Sequence, residues 1–413
     1  MTSTDVLIVG ASQAGLQLAT SLRDLGATGR ITLVGGETRA PYQRPPLSKA
    51  FLQGKLADDS LALRGPEFFE AQGIELVCGE WIDHINLSDP HRGAGEATSR
   101  GGRVFGFDRL ALTVGGTPRR IDVPGADLAG VHHLRDVQDS LGLRRDLESA
   151  TRVVVVGGGF IGLEAAAAAS AAGKDVTVVE AADRLLGRAV DPIMSSFYAT
   201  AHERRGATVL LGTAVTGLAG AQRVEAVELA DGRLLPADLV IIGVGLAAQT
   251  DLAQQLGLAC DRGIIVDEAQ RTSIPSVLAA GDCTVVAHPE RGPLRLESVQ
   301  NAINQAKIAA ATLLGAPTPH TGVPWFWSDQ ADLKLQIAGL NAGYDTVVLR
   351  GDPATESFSL LYYRGEELLS IDSVNAPRDY MAVRRILDNG GSVPPYAATD
   401  LDVPLKEFLT VAV

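Results

Sequence analysis

One unit of sequence occurs twice in this chain and restricts its fold more than anything else. Residues 6–9 (Val-Leu-Ile-Val) run into Gly10-Ala11-Ser12-Gln13-Ala14-Gly15, an apolar-periodic run through Leu16, Ala19 and Leu22, and a second apolar run at 31–34. Residues 153–156 (four valines) run into Gly157-Gly158-Gly159-Phe160-Ile161-Gly162, an alanine-rich run to Ala172, and a second run at 176–179 that ends on Glu180. Each reads as strand, glycine turn, helix and parallel strand within about thirty residues. Such a turn leaves bare N–H groups at a helix N-terminus, where the helix dipole favours a pyrophosphate. Strand, turn and helix fall in register both times, so the chain is expected to carry two dinucleotide-binding domains.

In the second unit Gly157, Gly159 and Gly162 supply the tight turn, the close approach to phosphate and the helix–strand packing. Glu180 stands 23 residues after Gly157. A carboxylate there accepts both ribose hydroxyls and repels a 2′-phosphate, which argues for NADH over NADPH. Arg184 and Arg188 pull the other way, since an arginine accommodates that phosphate. In the first unit Ser12 stands where the middle glycine is usual, and Ala14 precedes Gly15. The tip of the next strand is Gly35-Gly36, so the acid for the adenosine ribose is displaced to Glu37. Gly115, Gly245 and Gly281 close further strands whose ends should face the cofactors.

At 413 residues the chain has room for two to three domains. A formal charge of −13 excludes nucleic-acid binding through a general basic field. Residues 153–173 are apolar enough to suggest a membrane span, but the three consecutive glycines Gly157–Gly159 and Glu164 fit a buried strand and helix better. The start of the chain has no basic region of the secretory kind. Cys78, Cys260 and Cys283 form no CxxC and no Cys/His cluster, so neither a dithiol nor a zinc site is expected, and a reducing cytoplasm is. None of His84, His91, His132, His133, His202, His288 or His320 sits in a nucleophile motif; all read as surface or structural histidines. Two dinucleotides without a thiol pair suggest a flavin and a nicotinamide in sequence. After Pro317-Thr318-Pro319 the character changes to an aromatic knot, Trp325-Phe326-Trp327, then short strands near 334–337, 346–349, 358–362 and 368–372 and a helix near 380–387. The fold class is α/β: two Rossmann-like domains and a C-terminal α+β interface domain.

Five segments carry a resemblance that spans essentially the whole length: Arg44-Pro45-Pro46-Leu47-Ser48-Lys49, residues 157–164 (GGGFIGLE), Ala280-Gly281-Asp282-Cys283, residues 296–302 (LESVQNA), and residues 324–330 (PWFWSDQ). They resemble the NADH-dependent ferredoxin reductases of bacterial oxygenase systems. The resemblance implies a glutathione-reductase-like fold. FAD would be bound by residues 1–112 and 247–320 and NADH by 113–246, with an interface domain at 321–413. Lys49 would lie beside flavin N5, paired with Glu164. Asp282 would bind the ribityl chain, and the Val299 N–H would face the pyrimidine edge. Arg44, Ile82, Thr113 and Arg135 would make further FAD contacts, Trp327 would cover the ring system, and Glu297 would hold the nicotinamide carboxamide. Electrons would leave singly to a [2Fe–2S] ferredoxin that supplies an oxygenase or cytochrome P450.

Such ferredoxins are generally acidic, so a local basic face must override the net charge; Lys307, Arg64, Arg295 and Lys406 are the candidates. A monomer is favoured. Ser12 and Gly36 depart from the family pattern and put the adenine-end contacts in question. The disulfide reductases of this fold need cysteines within 41–52, where there are none. Rubredoxin or monodehydroascorbate as acceptor, or a redox-sensing binding module like apoptosis-inducing factor, are the alternatives.

Overall fold

The structure is a computed structural model that describes residues 4–91, 93–288, 292–318 and 322–409; Pro319 and His320 lie outside them. The chain divides into two compact units. One comprises Met1–Gln43, Asp59–Thr117 and Leu246–Thr321; the other comprises Arg44–Asp58, Pro118–Gly245 and Gly322–Val413.

The first unit is built on a parallel sheet in the order Val277–Ala279, Arg109–Leu112, Val6–Val9, Ile31–Gly35, Ile74–Cys78. All four residues of the central strand are buried, as a strand covered on both faces requires. Its side chains alternate between two cores. Val6 and Ile8 join Leu18, Leu22 and Ala306 beneath the helices Gln13–Asp24 and Val299–Leu313. Leu7 and Val9 join Phe105, Phe107, Leu258 and Ile264 on the other face. Both phenylalanines belong to an antiparallel meander, Ile82–Asp89, Ala94–Ser99 and Val104–Phe107, that the sequence reading did not anticipate.

The second unit has a parallel sheet in the order Ala207–Leu210, Asp175–Val179, Arg152–Val156, Leu239–Ile242, Val131–His132. Its glycine-turn helix, Phe160–Ala171, is buried continuously from Gly162 to Ala169. Five successive alanines make that possible, because small side chains let the helix be covered on more than one side. One cover is the parallel sheet. The other is a five-stranded antiparallel sheet ordered Trp325–Gln330, Leu333–Gly339, Glu367–Val374, Ser357–Arg364, Thr346–Asp352. Leu163, Ala166 and Val155 therefore share a single core with Leu333, Leu335, Phe358 and Leu360. The Arg44–Asp58 segment joins the same core through Leu52, and Ser140 Oγ donates to Leu47 O at 2.8 Å. The helix Pro377–Asp388 packs Tyr380, Val383 and Ile386 into a separate cluster with Ala338, Leu361 and Tyr363.

The anticipated C-terminal strands are all present but extend further at their ends, and Trp325-Phe326-Trp327 opens a regular strand instead of a knot. Alternation explains it: Trp325 and Trp327 lie together with ring centroids 5.7 Å apart, while Phe326 packs on Phe160 at 4.6 Å.

Asp372, 1% exposed, sits in the middle of this antiparallel sheet. It accepts a hydrogen bond from Tyr362 Oη at 2.5 Å, and burial still pushes its carboxyl up to about 7. A carboxyl raised in the folded state holds its proton while the unfolded chain has lost it, so stability falls as pH rises from about 4 toward 7. Urea melts across that range should show wild type losing stability relative to Asp372→Asn, by up to about 1.4 kcal/mol per pH unit. Parallel pH profiles would contradict this.

Candidate functional site

Each glycine turn is shaped by backbone that a side chain would strike. At Gly10, φ is +116° and a Cβ would lie 2.2 Å from Thr113 O. Thr113 Oγ1 donates to Gly10 O at 2.8 Å and clamps the turn from the neighbouring strand. A Cβ at Gly15 would stand 2.0 Å from Gly10 O, so only glycine lets the helix start close against the turn. Gly162 repeats this, with a Cβ 2.2 Å from Gly157 O. Gly159 differs: the nearest atom to a Cβ there is Gly243 O at 3.9 Å, so its surroundings are open. Ser12 and Gly159 precede their helices in extended backbone, and neither makes a side-chain cap. By contrast Asp136, Asp191 and Ser298 cap the helices they precede. The two glycine turns thus keep first-turn N–H groups for an outside acceptor, which fits a dinucleotide pyrophosphate in each unit.

Glu180 stands at the tip of the next strand in the second unit. Its carboxylate accepts from Gly158 N at 2.6 Å and from Ala182 N at 2.8 Å, which fixes it against the turn. Arg184 is taken up by its own loop, donating to Val190 O and Gly187 O at 2.6 Å each and to Ser195 Oγ at 3.1 Å. Arg188 is exposed, with Nη2 near Gly245, and Ile161 is 45% exposed on the first helical turn. In the first unit the missing acid at Gly36 has a steric cause. A Cβ there would lie 2.4 Å from the Trp81 ring. Glu37 takes up the acidic position instead and accepts from Tyr42 Oη at 2.5 Å. Ala14 is buried behind the turn.

The remaining expected FAD contacts divide by unit. In the first, Ile82 is 5% exposed and its side chain belongs to the core. Asp282 follows Gly281 (φ +89°) at the end of a parallel strand, and Gly281 N donates to Gln305 Oε1 at 2.6 Å. Val299 is the first residue of its helix, and Glu297 pairs with Arg295 at 2.7 Å. In the second unit Arg44 Nη1 donates to Arg135 O at 2.9 Å, so those two residues are brought together.

Pro45 and Pro46 open a 3₁₀ turn that ends at Lys49. Lys49 Nζ donates to Glu164 Oε2 at 2.7 Å and to Pro45 O at 3.2 Å. Glu164, 3% exposed, lies one helical turn after Phe160. Two hydroxyls complete its shell: Ser48 Oγ donates to Oε2 at 2.5 Å and Ser328 Oγ to Oε1 at 2.6 Å. A buried ion pair needs such added donors to offset desolvation. Both serines stand inside the motifs that carried the resemblance, yet the sequence reading gave them no role. The usable signal was strand alternation: Phe326, Ser328 and Gln330 share a face, and Trp327 lies on the opposite one with Trp325. Cys283 is wholly buried and burial pushes its thiol up to about 11; it offers no thiolate near neutral pH.

Residues 4–306 match the pyridine nucleotide-disulphide oxidoreductase family, and residues 325–409 match the reductase C-terminal family. The chain is a member of the first, with the C-terminal domain of the second. It is 44% identical to Rhodocoxin reductase of Rhodococcus erythropolis over 97% of this chain and 93% of that protein. Among solved structures, the ferredoxin reductase for the CYP199A2 system of Rhodopseudomonas palustris superposes with TM-score 0.94 at 42% identity, covering 98% of this chain and 100% of that one. Putidaredoxin reductase, solved in covalent complex with putidaredoxin, superposes with TM-score 0.93 at 39% identity over 99% of both chains. The resemblance to ferredoxin reductases and the α/β, glutathione-reductase-like fold class read from the motifs are both borne out.

Within this family member the two glycines of the second turn should separate stability from binding. Gly162→Ala should lower unfolding stability by about 1–3 kcal/mol, because its Cβ meets backbone. Gly159→Ala should leave stability within about 0.5 kcal/mol and weaken nicotinamide-dinucleotide binding instead. Denaturant melts paired with titration of the dinucleotide would reveal a reversal.

Proposed function

We propose that this chain transfers electrons from NADH to a [2Fe–2S] ferredoxin that serves an oxygenase or cytochrome P450, with FAD resident at the first glycine turn. The observation that carries this reading is the pairing of the buried Glu164 with the part-buried Lys49, a lysine on the stretch where a disulfide reductase of this fold would need cysteines. FAD, when bound, supplies the interchange between a two-electron donor and a one-electron acceptor. The chain's own part is positional and electrostatic. The first turn and Asp282 hold and orient the cofactor, with Glu37 at its adenosine end. Arg44, Thr113, Arg135, Val299 and Ile82 would make further contacts with FAD. Lys49, steadied by Glu164, would hold positive charge beside the flavin, and Trp327 would cover it. The second turn, Ile161 and Gly245 receive NADH, and Glu297 meets its carboxamide.

Glu180 supports NADH over NADPH, since a carboxylate already fixed by two backbone N–H groups would face a 2′-phosphate directly. Of Arg184 and Arg188, it is Arg184 that is taken up by its own loop. Among the described residues no helix is long and apolar enough to cross a membrane, and the reading places the protein in the cytoplasm as a monomer. For ferredoxin docking, Lys307, Arg64 and Lys406 are exposed, whereas the Arg295 charge is offset by Glu297.

NADH oxidation by the FAD-loaded protein should reduce cytochrome c only when a [2Fe–2S] ferredoxin is added. Turnover with rubredoxin or monodehydroascorbate and none with any such ferredoxin would overturn the acceptor. Coupled turnover should fall about tenfold from low to physiological ionic strength; a flat response would remove the basic docking face. Lys49→Ala should slow flavin reduction by NADH about tenfold or more in stopped flow. An unchanged rate would remove Lys49 from the mechanism.

A further inference from the structure

The Glu164 carboxylate is the end of a hydrogen-bond chain that continues past Ser328 into the core of the second unit. Gln330 Nε2 lies 3.3 Å from Ser328 Oγ, and Gln330 Oε1 lies 2.8 Å from His202 Nε2. Every member is buried: Ser328 is fully enclosed, Gln330 is 1% exposed and His202 is 3% exposed. Ser328 and Gln330 are two residues apart on one strand, so they share the face turned toward Glu164. His202 comes from the last turn of the helix Pro192–Arg204.

The direction of the chain follows from its charged end. Glu164, paired with the Lys49 ammonium, is a carboxylate and only accepts. The Ser328 hydroxyl must therefore spend its single proton on Oε1. Its oxygen is then left to accept, so the Gln330 group facing it is the amide NH₂. The Gln330 carbonyl is turned to His202, and the imidazole must carry its proton on Nε2. Burial holds that imidazole below its ordinary range, so near neutral pH it is uncharged with one N–H to place. The amide orientation and the histidine tautomer are thus set by a charge two and three hydrogen bonds away, respectively.

We propose that His202 and Gln330 are positioning residues for the Lys49–Glu164 pair, holding the Glu164 carboxylate through Ser328 and so setting the charge field that Lys49 presents to the flavin. All three N–H and O–H dipoles point their positive ends at Glu164. Breaking the chain concentrates negative charge on the carboxylate and disfavours the electron-rich reduced flavin. The proposal rests on the reading of Lys49 as the flavin's neighbour. It adds that the neighbour is tuned from a helix with no expected cofactor contact.

The test uses the FAD-loaded protein and two readouts. The first is ¹⁵N NMR of the His202 imidazole in wild type, which needs no variant to fold. The Nε2–H tautomer, with its proton protected from exchange, is the expected result; the Nδ1–H tautomer overturns the chain. The second is the midpoint potential of bound FAD in Gln330→Met and His202→Phe, which keep bulk and remove the polar link, beside Lys49→Met. Both chain variants should lower the potential, shifting the reduction equilibrium three- to tenfold, tenfold being about 30 mV for a two-electron couple. Should Lys49→Met move the potential while neither chain variant does, the proposal fails and the Lys49 reading stands. If Lys49→Met itself has no effect, the underlying reading fails.

Discussion

The structure of the second unit depends on one buried carboxylate. Glu164 sits on a helix covered by sheet on more than one side, and its charge is tolerable there only because three donors converge on it. Those donors come from two places, the Arg44–Asp58 segment (Ser48 and Lys49) and the C-terminal strand (Ser328), and Ser328 is linked in turn through Gln330 to His202 on a further helix. Removing one partner from such a set leaves a buried charge under-satisfied, which costs several kcal/mol. The same carboxylate therefore anchors segments far apart in sequence and fixes Lys49.

Alanine is what lets that happen. A helix with leucine or valine at its five successive alanine positions would stand away from one of its two covers, and the reach from Ser328 to Glu164 would open. The glycines act at the other end of the same helix. Gly162 permits close approach to the turn, and Gly159 leaves open space for a ligand. Neither is interchangeable with the other, although both belong to one motif.

Much of this was legible before any coordinates. The strand–turn–helix units were found because their signal is local: apolar runs of strand length, glycines at fixed offsets, and helical periodicity fall in one continuous stretch. The parallel sheets followed from the same units. The Lys49–Glu164 pair joins residues 115 positions apart, and only resemblance connected them in advance. What stayed hidden was non-local in another sense. The steric reason for Gly36 is the Trp81 ring, which stands just before the first strand of a meander that is polar and weakly patterned in sequence. The role of His202 depends on which face of a distant strand Gln330 occupies. Trp325-Phe326-Trp327 looked irregular because three aromatics in a row mask a period of two. Polar residues at alternate positions of a buried strand were the overlooked clue.

Taken together, the two uncapped turns, the fixed Glu180 and the satisfied ion pair describe a scaffold whose residues position and tune bound cofactors. The most direct measurement is an experimental structure of the chain with FAD and NAD⁺ bound. It should place one pyrophosphate on the N–H groups that follow Gly10 and the other on those that follow Gly157, with Lys49, still paired to Glu164, within hydrogen-bond reach of flavin N5. A flavin bound away from the first turn, or a Lys49 side chain directed away from the ring, would contradict the account.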